Sequence, residues 1–233
     1  MVGNLSNVLP ADEGTPHSVI CTKRLTDIRF KKDGVYVSAG VTSGALLRYM
    51  QTMGLSGTEF LAGIPCTLGG ILYMNGGVNG QYIATLVQSV RVIRKGEVVD
   101  LPINECGYSY KNSIFMQTDD FILGATLHLE NDDGGTIKDK IQHYMQKRAH
   151  LPKGKSMGCV FKNPPDISAG ALIEQVGLKG FRVGGAKVSE LHANFIINDQ
   201  HATAADIRTL IELIKNAVYK AYGMMLEEEI RYI

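Results

Sequence analysis

A chain of 233 residues exceeds the commonest single-domain size, so two modest domains, or one domain with a packed appendage, are expected. Its formal net charge of +1 offers no broad basic field for a nucleic-acid backbone, which excludes nucleic acid as a partner. No apolar run approaches the roughly 18–20 residues that cross a bilayer, and Met1-Val2-Gly3-Asn4 lacks the charged head and apolar middle of an export signal; no membrane partner and a cytoplasmic location are expected.

In chain order, Val19 to Thr22, Ile28 to Phe30 and Val35 to Ala39 read as short strands, the last two joined by the turn Lys32-Asp33-Gly34. A helix follows, with Ser43 as its cap, Leu46, Leu47, Met50 and Met53 on one side, and Gly54 as its stop. The segment Gly63 to Gly80 concentrates Gly63, Gly69, Gly70, Gly76, Gly77 and Gly80 with Pro65 and Asn75. It reads as a loop built for close backbone approach, either to a pyrophosphate or to a flat ring, or simply as tight turns between strands. Gly-x-Gly-x-x-Gly leading from a strand into a helix is absent.

Val90 to Ile93 and Val98 to Leu101 flank Lys95-Gly96 as a second hairpin, and Phe121 to Leu129 alternates as another strand. Asn131-Asp132-Asp133-Gly134-Gly135 breaks the pattern and places a domain boundary near Gly134. Beyond it the pattern gives a charged amphipathic helix from Ile137 to His150 and a short helix from Ser168 to Val176. Strand-like pieces follow at Arg182 to Val188 and Asn194 to Asn198. Thr203 and Asp206 form a capping box for a last helix carrying Ile207, Leu210, Ile211, Ile214 and Val218, stopped by Gly223. Glu227 to Ile233 reads as a final strand.

Cys21, Cys66, Cys106 and Cys159 are scattered, without Cys-x-x-Cys pairs or histidines at metal spacing, so neither a zinc site nor a disulfide framework is expected. Buried thiols are the plain reading of Cys21 and Cys106; Cys66 and Cys159 lie in glycine-flanked loops and are open to a chemical role. Gly158-Cys159-Val160-Phe161-Lys162-Asn163-Pro164 sets a thiol, a cation and an amide beside a turn-forming proline. A thiol with a reference pKa of about 8.5 is mostly protonated at neutral pH and far more acidic than a hydroxyl. Lys162 is either an anion clamp or a solvated surface lysine, Lys111 an electrostatic clamp on a developing oxyanion, and Glu229 either an assistant to a proton shift or a strand-face partner of Arg231.

The ordered set of motifs resembles the UDP-N-acetylenolpyruvoylglucosamine reductases, the MurB flavoenzymes. It comprises Gly3-Asn4-Leu5-Ser6-Asn7, Leu55 to Pro65, Gly69-Gly70, Met74-Asn75, Gly107 to Ser113, Phe161-Lys162-Asn163-Pro164, Gly184-Gly185-Ala186, His192-Ala193-Asn194-Phe195 and Glu229-Ile230-Arg231. The resemblance implies an α+β fold: the second α/β subdomain of a two-subdomain FAD-binding, vanillyl-alcohol-oxidase-like domain at residues 1–133, then a smaller α+β substrate-binding domain at 134–233. It implies FAD and NADPH as cofactors and a UDP-sugar, UDP-N-acetylenolpyruvoylglucosamine, as substrate in peptidoglycan precursor synthesis. Gly3, Ser6, Asn7, Gly63, Ile64, Pro65, Thr67, Gly69, Gly70 and Asn75 would hold the flavin, and Lys162, Asn163 and Asn194 the substrate. Cys159, in the place of the family's serine, would donate a proton, assisted by Glu229 and by Lys111 in the place of an arginine.

Asn4, Leu5, Cys66 and Gln81 stand where the family has glycines, adding side-chain atoms against a cofactor. Met1 falls directly before the Gly3–Asn7 loop, so the family's first subdomain is expected to be absent and the face left bare to favour self-association. A second reading therefore stands beside the first: a non-catalytic relative that has lost FAD and serves as a sugar-nucleotide or protein-binding module.

Overall fold

A computed structural model describes residues 1–233. The chain divides into two compact units, one of Met1–Asn4 with Val19–Ala149 and the other of Leu5–Ser18 with His150–Ile233. The boundary thus falls after Ala149, where the sequence places it at Gly134. The break at Asn131 to Gly135 is a helix start and not a linker: Asp133 accepts from the Gly135 and Thr136 N–H groups at 2.8 and 3.0 Å and caps the Gly134–Lys147 helix. That helix buries Ile137 and packs on the Ser43–Met53 helix. Its Lys140 ammonium reaches Ser56 Oγ and Asp132 Oδ2, tying the helix to the first unit.

The first unit is built on a five-stranded antiparallel sheet ordered Ile28–Lys31, Gly34–Ser38, Phe121–Leu127, Val87–Arg94 and Glu97–Pro102. Alternation along these strands puts Val35, Val37, Val90, Val92, Ile122, Ala125 and Leu127 into one core with Leu46, Met50 and Leu72 of the helices. Each fully buried aliphatic side chain there contributes roughly 1.5–3 kcal/mol. Both expected hairpins form; Lys95 and Gly96 have φ of 51° and 86°, the left-handed pair a two-residue turn requires. Thr42, not Ser43, caps the Ser43–Met53 helix, because the Ser43 hydroxyl is turned inward to donate to the Ile64 carbonyl at 2.5 Å. Met53 is exposed. The strand expected at Val19 to Thr22 reduces to a single bridge between Val2 and Cys21.

The second unit carries a four-stranded antiparallel sheet ordered Ser156–Cys159, Phe195–Asn198, Ala186–Val188 and Arg182–Val183. The Ala169–Gln175 and Ala204–Tyr222 helices pack with it over a core that includes Phe161, Ile173, Ile196, Leu210 and Ile214. The capping box of Thr203 and Asp206 is present, and Asp12 adds a second cap, accepting from Ala204 and Ala205 N–H at 2.7 and 3.0 Å. The expected terminal strand is shorter: Arg231–Tyr232 pairs in parallel with Val8–Leu9, and Glu228 bridges to Phe161. No helix is long and apolar enough to cross a membrane.

Candidate active site

In the first unit the glycine-dense segment is not a continuous loop; it holds a Leu68–Tyr73 helix. Thr67 Oγ1 accepts from Gly70 N–H, while the Leu68 and Gly69 amides donate to the Val41 and Ala39 carbonyls. Those three amides are therefore already used, and a phosphate cradle made from them is not what this segment offers. Gly3 lies so close to Thr67 that a Cβ there would sit 2.1 Å from Thr67 Oγ1. Asn4 Nδ2 donates to the Pro65 carbonyl at 2.9 Å. Asn75, buried with φ of 43°, donates to the Ser109 carbonyl and accepts from the Ala84 amide. It thereby docks the 107–113 turn against the end of the short helix, where Ser113 Oγ also donates to the Tyr73 carbonyl at 2.6 Å. Lys111 sits in this turn with φ of 51°.

Thr67 and Asn75 thus shape the surface from inside, and what remains outward is largely side-chain-poor backbone at Gly63, Pro65 and Gly70. Cys66 is buried, with burial the main cause pushing its thiol up to about 11 against the opposing bond to Ser43. It is a packing thiol, inert at neutral pH.

In the second unit, Cys159 ends a strand and pairs with Phe195 after a register shift; Gly158 supplies the bend with φ of 77°. The next residues run between two partners. Val160 N–H donates to the Asn194 carbonyl and its own carbonyl accepts from Glu229 N–H, both at 2.8 Å; Lys162 N–H donates to the Glu227 carbonyl at 2.8 Å. Asn7 Nδ2 donates to the Glu229 carbonyl at 3.0 Å, and Arg231 N–H donates to the Asn7 carbonyl. The backbones carrying Cys159, Lys162 and Glu229 are therefore neighbours, joined through Val160 and the Phe161–Glu228 bridge, with Asn7 fastening the segment of Glu229. Lys162, its side chain mostly covered, pairs with the exposed Glu227 carboxylate. Asn163 Oδ1 accepts from Ala169 N–H at 3.1 Å at the start of a helix.

Asn194 departs from the expectation of a substrate contact: it is 2% exposed, and its amide is spent on the backbone of Phe161. Its own N–H donates to His192 Nδ1 at 3.2 Å, which requires the imidazole to carry its proton on Nε2. Burial, with the His150 charge adding to it, lowers the His192 pKa and keeps that ring neutral.

Comparison with known proteins settles the family. Residues 148–233 match the C-terminal domain of UDP-N-acetylenolpyruvoylglucosamine reductase, and residues 1–101 match an FAD binding domain. The reductase of that name from Chlamydia abortus is 36% identical over all of this chain and 79% of its own length. The one from Thermosipho melanesiensis is 39% identical over 99% of this chain and 80% of its length. The chain belongs to the UDP-N-acetylenolpyruvoylglucosamine reductase family. The crystal structure of the Thermus caldophilus reductase, MurB, superposes with a TM-score of 0.88 at 34% identity, covering 99% of this chain and 84% of that one. The α+β fold expected from the sequence is the fold of this family.

The first unit suits a flavin nucleotide in two respects. Gly70 is exposed, and a Cβ there would meet only Thr67 Oγ1, in ordinary contact at 3.6 Å. The Tyr108 hydroxyl is buried without a hydrogen-bond partner, a donor whose desolvation costs about 1–3 kcal/mol unless something accepts from it. Burial drives its pKa far upward, so it remains a neutral donor. Tyr108 lies in a motif that the sequence singles out without giving that residue a role; an aromatic between a turn glycine, Gly107, and Ser109 was the available signal.

Proposed function

We propose that this protein is an FAD-dependent reductase that uses NADPH to convert UDP-N-acetylenolpyruvoylglucosamine to UDP-N-acetylmuramate in the cytoplasmic synthesis of peptidoglycan precursors. The observation that carries this reading is similarity to reductases of that name along the whole chain. FAD, when bound, would supply hydride-transfer chemistry between NADPH and the enolpyruvyl double bond. Gly63, Ile64, Pro65, Gly70 and the Tyr108 hydroxyl would hold it, with Gly3, Thr67, Gly69 and Asn75 setting the shape of that surface. Ser6 and Asn7 continue the flavin motif, Asn7 also bracing the Glu229 segment.

The chain's own residues handle the proton. Addition of hydride to one alkene carbon leaves electron density on its neighbour next to the carboxylate, and a proton must arrive there. Cys159 donates it from sulfur and is left as a thiolate that solvent reprotonates. Glu229 and Lys111 assist, the lysine as a point charge stabilising the enolate-like oxygen without the two-pronged fork of an arginine. Lys162, released from Glu227, and Asn163 bind the anionic substrate.

The test is direct. Purified protein is reconstituted with FAD, its flavin absorbance recorded, and NADPH oxidation followed with and without the UDP-sugar. Substrate-dependent oxidation is expected; a colourless protein that cannot be reconstituted would refute the reading.

A further inference from the structure

Residues 160–162 continue the chain beyond the Ser156–Cys159 strand, with unequal neighbours on their two sides. On one side Val160 C=O and Lys162 N–H bond to the backbone of residues 227–229. On the other, the ladder with Phe195–Asn198 ends at Cys159, and the groups of Phe161 that point that way meet no strand. They meet one side chain: Asn194 Oδ1 accepts from Phe161 N–H at 2.9 Å and Asn194 Nδ2 donates to Phe161 C=O at 2.8 Å. A primary amide presents an acceptor and a donor side by side, as a peptide does, so it replaces the missing neighbour for one residue. Asn194 and Phe161 are both almost fully buried, so water cannot take over these bonds.

We propose that Asn194 is a positioning residue whose amide stands in for an absent β-strand at Phe161, fixing Cys159 and Lys162 on either side of it, and that it does not touch the UDP-sugar. The effect on catalysis rests on the reading of Cys159 as proton donor given above. The turn that presents Asn194 is itself braced: Ser189 Oγ accepts from Leu191 and His192 N–H, and His192 Nδ1 from Asn194 N–H. Asn194→Asp is the informative variant, because it keeps the volume and the acceptor for Phe161 N–H but sets an oxygen against Phe161 C=O.

In the FAD-loaded protein, flavin is reduced with NADPH and its reoxidation by UDP-N-acetylenolpyruvoylglucosamine is followed. In Asn194→Asp and Asn194→Ala the reoxidation rate at saturating substrate is expected to fall about tenfold or more, with the substrate Kd within about threefold and reduction by NADPH unchanged. A Kd weakened about tenfold with the saturated rate retained would make Asn194 a ligand and overturn the proposal. Two readouts stand apart from turnover: the pH profile of Cys159 alkylation by iodoacetamide, and hydrogen exchange of the Phe161 amide. Both are expected to change in the variants. If the wild-type protein shows no substrate-dependent reoxidation, the functional reading fails, and these two readouts still decide the clamp; unchanged values overturn it. If neither variant folds, the wild-type Phe161 amide must exchange among the slowest of its unit, and rapid exchange overturns the proposal.

Discussion

The segment 63–75 of the first unit and the segment 158–163 of the second both carry residues proposed to bind or react, yet they are made in opposite ways. In the first, polar side chains are drawn inward: Thr67 caps a helix, Asn75 joins two loops, and Ser43 bonds Ile64. What is left outside is a surface with few side chains. In the second, Asn194 holds the backbone from behind, and Cys159 and Lys162 stay partly exposed on top. The first surface is made by withdrawing side chains from it, and the second by fixing a few of them in place.

The largest test of that contrast is Cys159→Ala. Steady-state turnover is expected to fall by about 10²–10⁴, the usual worth of a positioned proton donor, while stopped-flow reduction of the flavin by NADPH stays at the wild-type rate; Cys159→Ser should retain turnover. Turnover surviving in the alanine variant would remove the reactive character from the second segment. Next comes Asn194→Ala, expected to lower stability by about 2–3 kcal/mol in urea denaturation because two buried backbone groups lose their only partners. A loss confined to a few tenths would mean that the segment does not depend on the amide.

For the first segment, Gly3→Ala forces a Cβ against Thr67 Oγ1 and should cost about 1–3 kcal/mol. Thr67→Ala alone should cost about 1 kcal/mol through loss of the cap. Since the second change removes the atom that the first collides with, the double variant should lose less than the two costs added; strict additivity would show that the contact is not felt. The smallest effect concerns pH. The His192 pKa lies below its ordinary value, so the unfolded chain binds more protons over the interval from about pH 6.5 downward. Stability should therefore rise with pH through that interval and level off above it, and His192→Gln should flatten the rise in thermal unfolding measured across pH 5–8.

What the sequence makes legible follows from how local its cause is. The Lys95-Gly96 hairpin and the Thr203–Asp206 capping box are fixed by residues a few positions apart, and both appear as read. The Leu68–Tyr73 helix escaped because Gly69 and Gly70 each cost about 1 kcal/mol in a helix; burial of Leu68, Ile71 and Leu72 outweighs that. Val19 and Ile20 have strand-forming side chains but stay exposed with no sheet to join. The Asn131 to Gly135 run has the composition of a linker and of a helix cap alike. In the site, motif order drew Cys159, Lys162 and Glu229 into one set, and their backbones lie side by side. The duty of Asn194 left no trace in spacing, since its bonds reach across 33 positions.

Residues 5–18 pack with the second unit, and Asp12 caps a helix that starts 192 positions later. During translation at about 5–20 residues per second, this stretch leaves the ribosome on the order of ten seconds before its partner exists. The intervening 131-residue body can fold meanwhile, so the early stretch must wait unstructured, open to proteases and to chaperones, until the final helix emerges to claim it.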